Sequence, residues 1–142
     1  MSSSRYYHAP SGKQYIVPET LFPWFSEQAG GEPERALIEW IRENYVHPDY
    51  GFVDIGAHIG TYSLSFHDQA REVVAFEPAL ANYHRLCGGI ALAGASSKIR
   101  AVHTALSDHT GFSQLRIPSE DGVLSTLESW LPHAPPGVPI EK

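Results

Sequence analysis

The sequence predicts an α/β fold built on a mainly parallel sheet. Three short apolar runs, at residues 52–55, 72–77 and 98–106, are bounded by Gly, Pro or polar residues and read as buried strands. Helical patterns separate them, and strand–helix–strand–helix–strand is the sign of a parallel sheet with right-handed crossovers. Glycines crowd the turn after the first run, at Gly56 and Gly60.

The elements follow in order. Residues 14–17 fit a short strand after the Ser11-Gly12 turn, and Tyr6, Tyr7 and Tyr15 fit an N-terminal hairpin covering the sheet. Gly30-Gly31 marks a loop. Pro33 suits a first helical position, with Glu32, Glu34 and Glu39 near the positive end of the helix dipole. Leu37, Trp40, Ile41 and Tyr45 then recur at helical spacing, so residues 33–46 read as an amphipathic helix that Pro48 ends. Residues 59–66 start a second helix. Residues 79–93 form a third, with Leu80, Tyr83, Leu86 or Cys87, and Ile90 on one face and Gly94 as its cap. Residues 112–117 alternate at period two, a one-sided strand. Pro132, Pro135, Pro136 and Pro139 make the end a loop or fraying tail. Three segments result: 1–32 as an N-terminal extension or hairpin, 33–131 as the core, and 132–142 as a proline-rich stub.

Composition bounds the function. The 142 residues match one domain, with 42% hydrophobic and 18% charged residues, a globular balance. The net charge of −6 argues against a nucleic-acid binder, which needs a basic face. No apolar run approaches the roughly 18 residues of a membrane helix. The first residues have no apolar core like a signal peptide's, and the one cysteine, Cys87, permits no internal disulfide. A cytoplasmic location is expected. The eight histidines form no metal-ligand spacing, so no metal is expected. Cys87 reads as a core residue of its helix, and Trp24, Trp40 and Trp130 as packing residues.

The stretch from Val53 to Ser63 is the most informative. In open α/β sheets, ligands bind outside the carboxyl ends of the strands, where this turn falls. Gly56 has no Cβ and permits a tight turn and close approach of a ligand. Gly60 permits close packing of helix on strand, and the amides of the helix start suit an anionic group. The dinucleotide pattern Gly-x-Gly-x-x-Gly is not met, because its middle position is not Gly. Asp54 would repel a phosphate but suits an amine or sulfonium. Glu77, at the end of the second strand, lies about 20 residues on, the spacing of a carboxylate that accepts from a ribose diol. Taken singly, these also fit a plain glycine turn and a solvent-facing strand-end Glu; the agreement in spacing favours a ligand site.

Residues 52–60 resemble the first motif of class I S-adenosylmethionine-dependent methyltransferases, and most of all the FkbM family, whose pattern is Asp-Val-Gly-Ala-Asn-x-Gly. Val74-Ala75-Phe76-Glu77-Pro78, followed by Asn82 and Leu86, resembles that family's Phe-Glu-Pro…Asn-x-x-x-Leu. Ala105-Leu106-Ser107-Asp108 with Gly111, and the small-residue stretch 122–127, resemble the two segments that follow. The resemblance covers residues 51–128. It implies a Rossmann-like, doubly wound sheet of the class I methyltransferase type, with S-adenosylmethionine as cofactor. Gly56, Ala57 and Gly60 would line its methionine portion, Asp54 would lie near its amino group, Glu77 would hold the ribose hydroxyls beside Pro78, and Ser107 and Asp108 would face the adenine. His58 stands where the family commonly has Asn, either donating to the cofactor carboxylate or capping the helix.

The family's substrate half lies on the fourth strand and beyond, with a Lys-x-Asp-x-Glu-Gly-x-Glu segment that this sequence lacks. At about 21–26 residues per strand–helix unit, roughly a hundred further residues are expected, so the fold reads as incomplete at its C-terminus. No catalytic residue is assigned. The resemblance implies methyl transfer to a hydroxyl of a small-molecule, glycan or natural-product acceptor, with this chain carrying the cofactor-binding half. A non-catalytic remnant or truncated fragment is the alternative. A nicotinamide-dependent oxidoreductase is a further one, disfavoured by Asp54 and the missing middle glycine. In the family's strand order the first strand is central, so without the fourth it has a bare apolar edge, and a homo-oligomer through that edge is expected.

Overall fold

The computed structural model describes residues 3–27, 31–117, 125, 127 and 137–142. Three parallel strands form its centre: β3 (Phe52–Ile55), β4 (Val73–Phe76) and β5 (Ile99–Val102), in the order β3-β4-β5. Their registers run Phe52↔Val73 and Val73↔Ile99. The α/β class and the three strands predicted from the apolar runs are present, each trimmed to four residues.

Two helices complete the crossovers. α3 (Ser63–Phe66) follows β3, and α4 (Leu80–Leu92) follows β4. Alternate strand residues point to opposite faces. Asp54, Val73, Ala75 and Ile99 are buried, in one core with Leu64 and Phe66 of α3 and Leu86 and Ile90 of α4. α4 ends as its glycine suggests. Gly94 has φ +63°, and the Ala95 amide reaches back to the Ile90 carbonyl at 3.0 Å. The buried face of α4 is carried by Asn82, Arg85, Leu86, Gly89 and Ile90, while Leu80 is exposed. The predicted stripe was turned because polar Asn82 and Arg85, bonded to each other, occupy inward positions.

The N-terminal hairpin forms from β1 (Ser4–His8) and β2 (Gln14–Pro18) around Gly12, φ +88°. It packs on α4 instead of covering the sheet. A Cβ on Gly88 would lie 3.1 Å from Ile16, and one on Gly89 would lie 3.7 Å from the Gln14 carbonyl. Tyr15 and Val17 are fully buried. After a 3-10 turn (Glu19–Leu21), the short α1 (Phe22–Glu27) places Phe25 edge-on against Tyr7 and Tyr15 at 5.7 Å.

α2 (Arg35–Tyr45) starts later than its sequence predicts. Glu32 is drawn away from the helix end into a buried pair with Lys13 at 2.7 Å, Pro33 is buried with it, and Glu34 takes the left-handed conformation, φ +56°. Its inner face is Ile38 and Ile41, while Leu37, Trp40 and Tyr45 are exposed, the last two packed edge-on at 5.2 Å. Arg42 ties α2 to α3 through the Ser65 carbonyl (2.6 Å) and Asp68.

The tail is not a loop throughout. β6 (Phe112–Leu115) pairs antiparallel with β7 (Val138–Glu141), with Leu115↔Val138. Proline is tolerated there because β7 is an edge strand, where a missing N–H can face solvent. Thr104 Oγ1 donates to the Glu141 carbonyl at 2.7 Å and fastens the ribbon to the loop after β5. Residues 122–127 lie outside the described residues except for Ser125 and Leu127. Among the described residues, no helix is long and apolar enough to cross a membrane.

Candidate functional site

The carboxyl ends of β3 and β4 meet at the glycine turn. The Gly56 and Ala57 amides both donate to the Phe76 carbonyl at 2.9 Å, so β4 holds the turn by the backbone. Gly56 (φ +76°), His58 (φ +55°) and Gly60 (φ +93°) are all left-handed. His and Asn are among the few residue types enriched in that region, which accounts for His58 at a position where the resembling family commonly has Asn.

The two glycines have different surroundings. A Cβ on Gly56 would meet nothing within 4 Å. A Cβ on Gly60 would lie 2.6 Å from Leu86 Cδ1 and 3.4 Å from Leu64 Cδ1. Gly60 therefore permits the close approach of α4, a helix and not the strand its position in sequence suggested. Gly56 presents bare backbone to open space.

Glu77 lies at this turn. Its Oε2 accepts from the His58 amide at 2.7 Å, and its Oε1 accepts from the Ala79 amide at 2.8 Å. The side chain thus clamps the turn to the start of α4 and is almost fully buried. Burial raises its pKa, the two amides oppose that, and the charge of Asp54 raises it further. Asp54 is also buried, and burial raises its pKa against two bonds to its Oδ2, from the Ser63 amide (3.0 Å) and the Ser63 hydroxyl (2.6 Å). Its Oδ1 makes no hydrogen bond among the described residues.

Asp54 therefore supplies the cap that His58 was one candidate for. The expected anion site at this helix start does not form, since α3 has four residues and the Ser63 amide is taken by a carboxylate. Tyr62 beside it donates to Glu34 at 3.0 Å, and its hydroxyl is pushed up to about 12 by burial and by Glu34. Ser63 and the Glu34–Tyr62 link were not foreseen; both join residues without helix or strand periodicity between them.

Asp54, Gly56, Ala57, His58, Gly60 and Glu77 are thus brought together, with Pro78 adjoining Glu77. Ser107 and Asp108 lie in the exposed loop after β5. Asp108 accepts from the Ser107 hydroxyl (3.1 Å) and from His109 Nδ1 (2.6 Å), and His109 Nε2 faces Lys142 Nζ at 2.7 Å. A Lys ammonium can only donate, so His109 accepts at Nε2 and donates from Nδ1. His109 holds the Asp108 carboxyl below its ordinary range. Cys87 is half-buried, and among the described residues no group of three His, Cys, Asp or Glu is placed to hold a metal ion.

Two buried carboxylates beside bare backbone suit hydroxyls and cationic nitrogen or sulfur, and they disfavour phosphate. No protein-family profile matches the sequence, and no curated protein matches it. Solved structures do match. Pyrococcus horikoshii TYW2, in complex with MeSAdo, aligns with TM-score 0.59 at 19% identity over 78% of this chain. A P. horikoshii protein assigned as a transferase aligns with TM-score 0.56 at 18% identity over 74%. The fold is Rossmann-like, of the class I methyltransferase type. This chain spans 39% and 37% of the length of those two chains.

Proposed function

We propose that this chain is the cofactor-binding part of an S-adenosylmethionine-dependent methyltransferase of the FkbM kind, acting on a hydroxyl of a small-molecule, glycan or natural-product acceptor. The observation that carries this reading is the meeting of Glu77 with the open face of Gly56 at the ends of adjacent strands. The donor set fits the cofactor. A carboxylate accepts from a ribose diol, a second one suits the α-ammonium, and the open glycine admits a ligand to the backbone. Bound there, the cofactor supplies an electrophilic methyl group on a sulfonium.

The chain's own residues bind and orient. Glu77 keeps both oxygens directed by backbone amides and accepts the ribose hydroxyls on their remaining lone pairs. Asp54, fixed through Oδ2, presents Oδ1 to the ammonium, by way of water. Ala57, His58 and Gly60 hold the turn, and Pro78, Ser107 and Asp108 face the adenine. None of these removes the acceptor's proton; that base belongs to the substrate half, as does in-line placement of the hydroxyl. Among the described residues β3 is the outer strand of its sheet, and its edge makes self-association the accompanying proposal.

Calorimetric titration with S-adenosylhomocysteine tests the reading, with NAD as the rival ligand. Saturable binding of the first and none of the second is expected, and Glu77→Ala should weaken it at least about tenfold, as loss of a charged acceptor for two hydroxyls does. Absence of binding at millimolar S-adenosylhomocysteine would sink it.

A further inference from the structure

α2 buries Ile38 and turns aromatic side chains outward. Trp40 is 52% and Tyr45 68% exposed, although the sequence alone makes Trp40 a packing residue. The two rings meet edge-on, with centroids 5.2 Å apart. An edge-on pair covers at most one ring face, so aromatic faces stay open to solvent. Three features give this patch one electrical sense. The ring faces are negative. Trp40 and Tyr45 lie toward the C-terminal end of the 11-residue α2, its negative pole. Glu43 is exposed and stands three residues after Trp40, hence beside it on the helix surface. The arginines of α2 are already engaged, Arg35 with Glu39 at 2.7 Å and Arg42 with Asp68 and the Ser65 carbonyl. Glu43 has no ion-pair partner among the described residues.

We infer that the C-terminal half of α2 is a docking surface for a basic segment of a partner protein, with an arginine side chain laid on Trp40 and Tyr45 and paired with Glu43. A guanidinium is planar and weakly hydrated; it stacks on an aromatic face and also bonds a carboxylate, so it suits this mixed patch better than an ammonium does. The outer side of a helix is convex, whereas small-molecule sites are concave. Exposed Trp and Tyr are the residue types that anchor protein interfaces, and arginine is the third. Leu37, one turn before Trp40 and also exposed, extends the patch with an apolar contact. An acidic partner, a second copy of this chain of net charge −6 included, would meet like charge here.

Fluorescence anisotropy of a fluorescein-labelled peptide of Gly-Arg repeats, at physiological salt, tests the surface, with lysine and citrulline in place of arginine as the counterparts. Saturable binding is expected for the arginine peptide, about threefold tighter than for lysine and at least about tenfold tighter than for the neutral citrulline. Trp40→Ala should weaken the arginine peptide about fivefold without changing the melting temperature, since the side chain is half-exposed. If that variant melts early, Tyr45→Ser should still weaken binding about threefold. Glu43→Gln should weaken it about threefold, whereas Glu141→Gln, which removes the same charge from the β6–β7 ribbon, should leave it unchanged. Equal affinity for arginine and citrulline peptides, equal effects of Glu43→Gln and Glu141→Gln, or no effect of Trp40→Ala and Tyr45→Ser overturns the assignment. So does a parent that associates in light scattering and is made monomeric by Trp40→Ala, because a second copy would then cover this face. Peptide binding is expected with or without S-adenosylhomocysteine, so failure of either reading leaves the other standing.

Discussion

The two faces of the parallel sheet have the same kind of sequence and opposite fates. On one, Val73 and Ala75 are at most 1% exposed beneath α3 and α4. On the other, Val53 and Ile55 are 55% and 66% exposed, and Arg100 is exposed beside half-buried Val74, Phe76 and Val102. Strands buried on both faces read as continuous apolar runs, and β3 and β4 read that way here. The difference teaches that the runs encode two layers of cover, while the described residues supply one. The outer edge of β3 lies on the same less covered side, since among the described residues β3 is last in its sheet.

The covered face should yield the largest effect. Leu86 is fully buried and abuts Gly60, so Leu86→Ala should destabilise by about 2–5 kcal/mol in urea denaturation followed by circular dichroism. A loss below about 1 kcal/mol would mean that α4 is not seated as described.

The glycine turn divides the comparison more finely. Gly60→Ala adds a Cβ 2.6 Å from Leu86 Cδ1 at φ +93°, and should lower stability by about 2–3 kcal/mol. Gly56→Ala pays only the left-handed backbone term, about 1 kcal/mol, and should act instead on S-adenosylhomocysteine binding. Equal stability losses would erase the distinction between a packing glycine and a ligand-facing one.

The open face should respond in solution behaviour instead of stability. Replacing Val53 and Ile55 together by Lys should shift the unfolding free energy by no more than about 1 kcal/mol, at about 0.5 per exposed site. Light scattering after size-exclusion should show the variant less associated than the parent. A monodisperse monomeric parent would remove self-association from the proposal.

The smallest effect concerns pH. Asp54 and Glu77 are raised above their ordinary values of 3.8 and 4.5 by burial. The folded state therefore holds their protons more tightly than the unfolded one. Their contribution is fully present below those ordinary values and is lost as pH rises through the folded ones. Thermal melts of Asp54→Asn and Glu77→Gln should show a flatter fall above pH 4 than the parent.

Much of this was readable in the sequence because it depended on local signals. Glycines and Pro78 bracketed β3 and β4, and Gly94 announced the end of α4. The Asp54–Gly56–Glu77 grouping followed from one helix-plus-strand interval. What was not readable depended on distant partners. Glu32 left its helix because Lys13, on the hairpin, claims it. The inward face of α4 turned because Arg85 bonds Ser4, 81 residues away. β7 was hidden by Pro139, which an edge strand accepts and a central one would not. Asp54 was expected to serve a ligand alone, and nothing local marked Ser63 as its partner.

The seating of the hairpin on α4 also sets an order of events during synthesis. The hairpin leaves the ribosome early, yet the helix surface that abuts Ile16 is at Gly88. At about 5–20 residues per second, several seconds pass before that surface exists. For that interval Phe25 can lie against Tyr7 and Tyr15, but Ile16 lacks the helix surface it abuts, so a chaperone that acts on this protein would meet it at the hairpin.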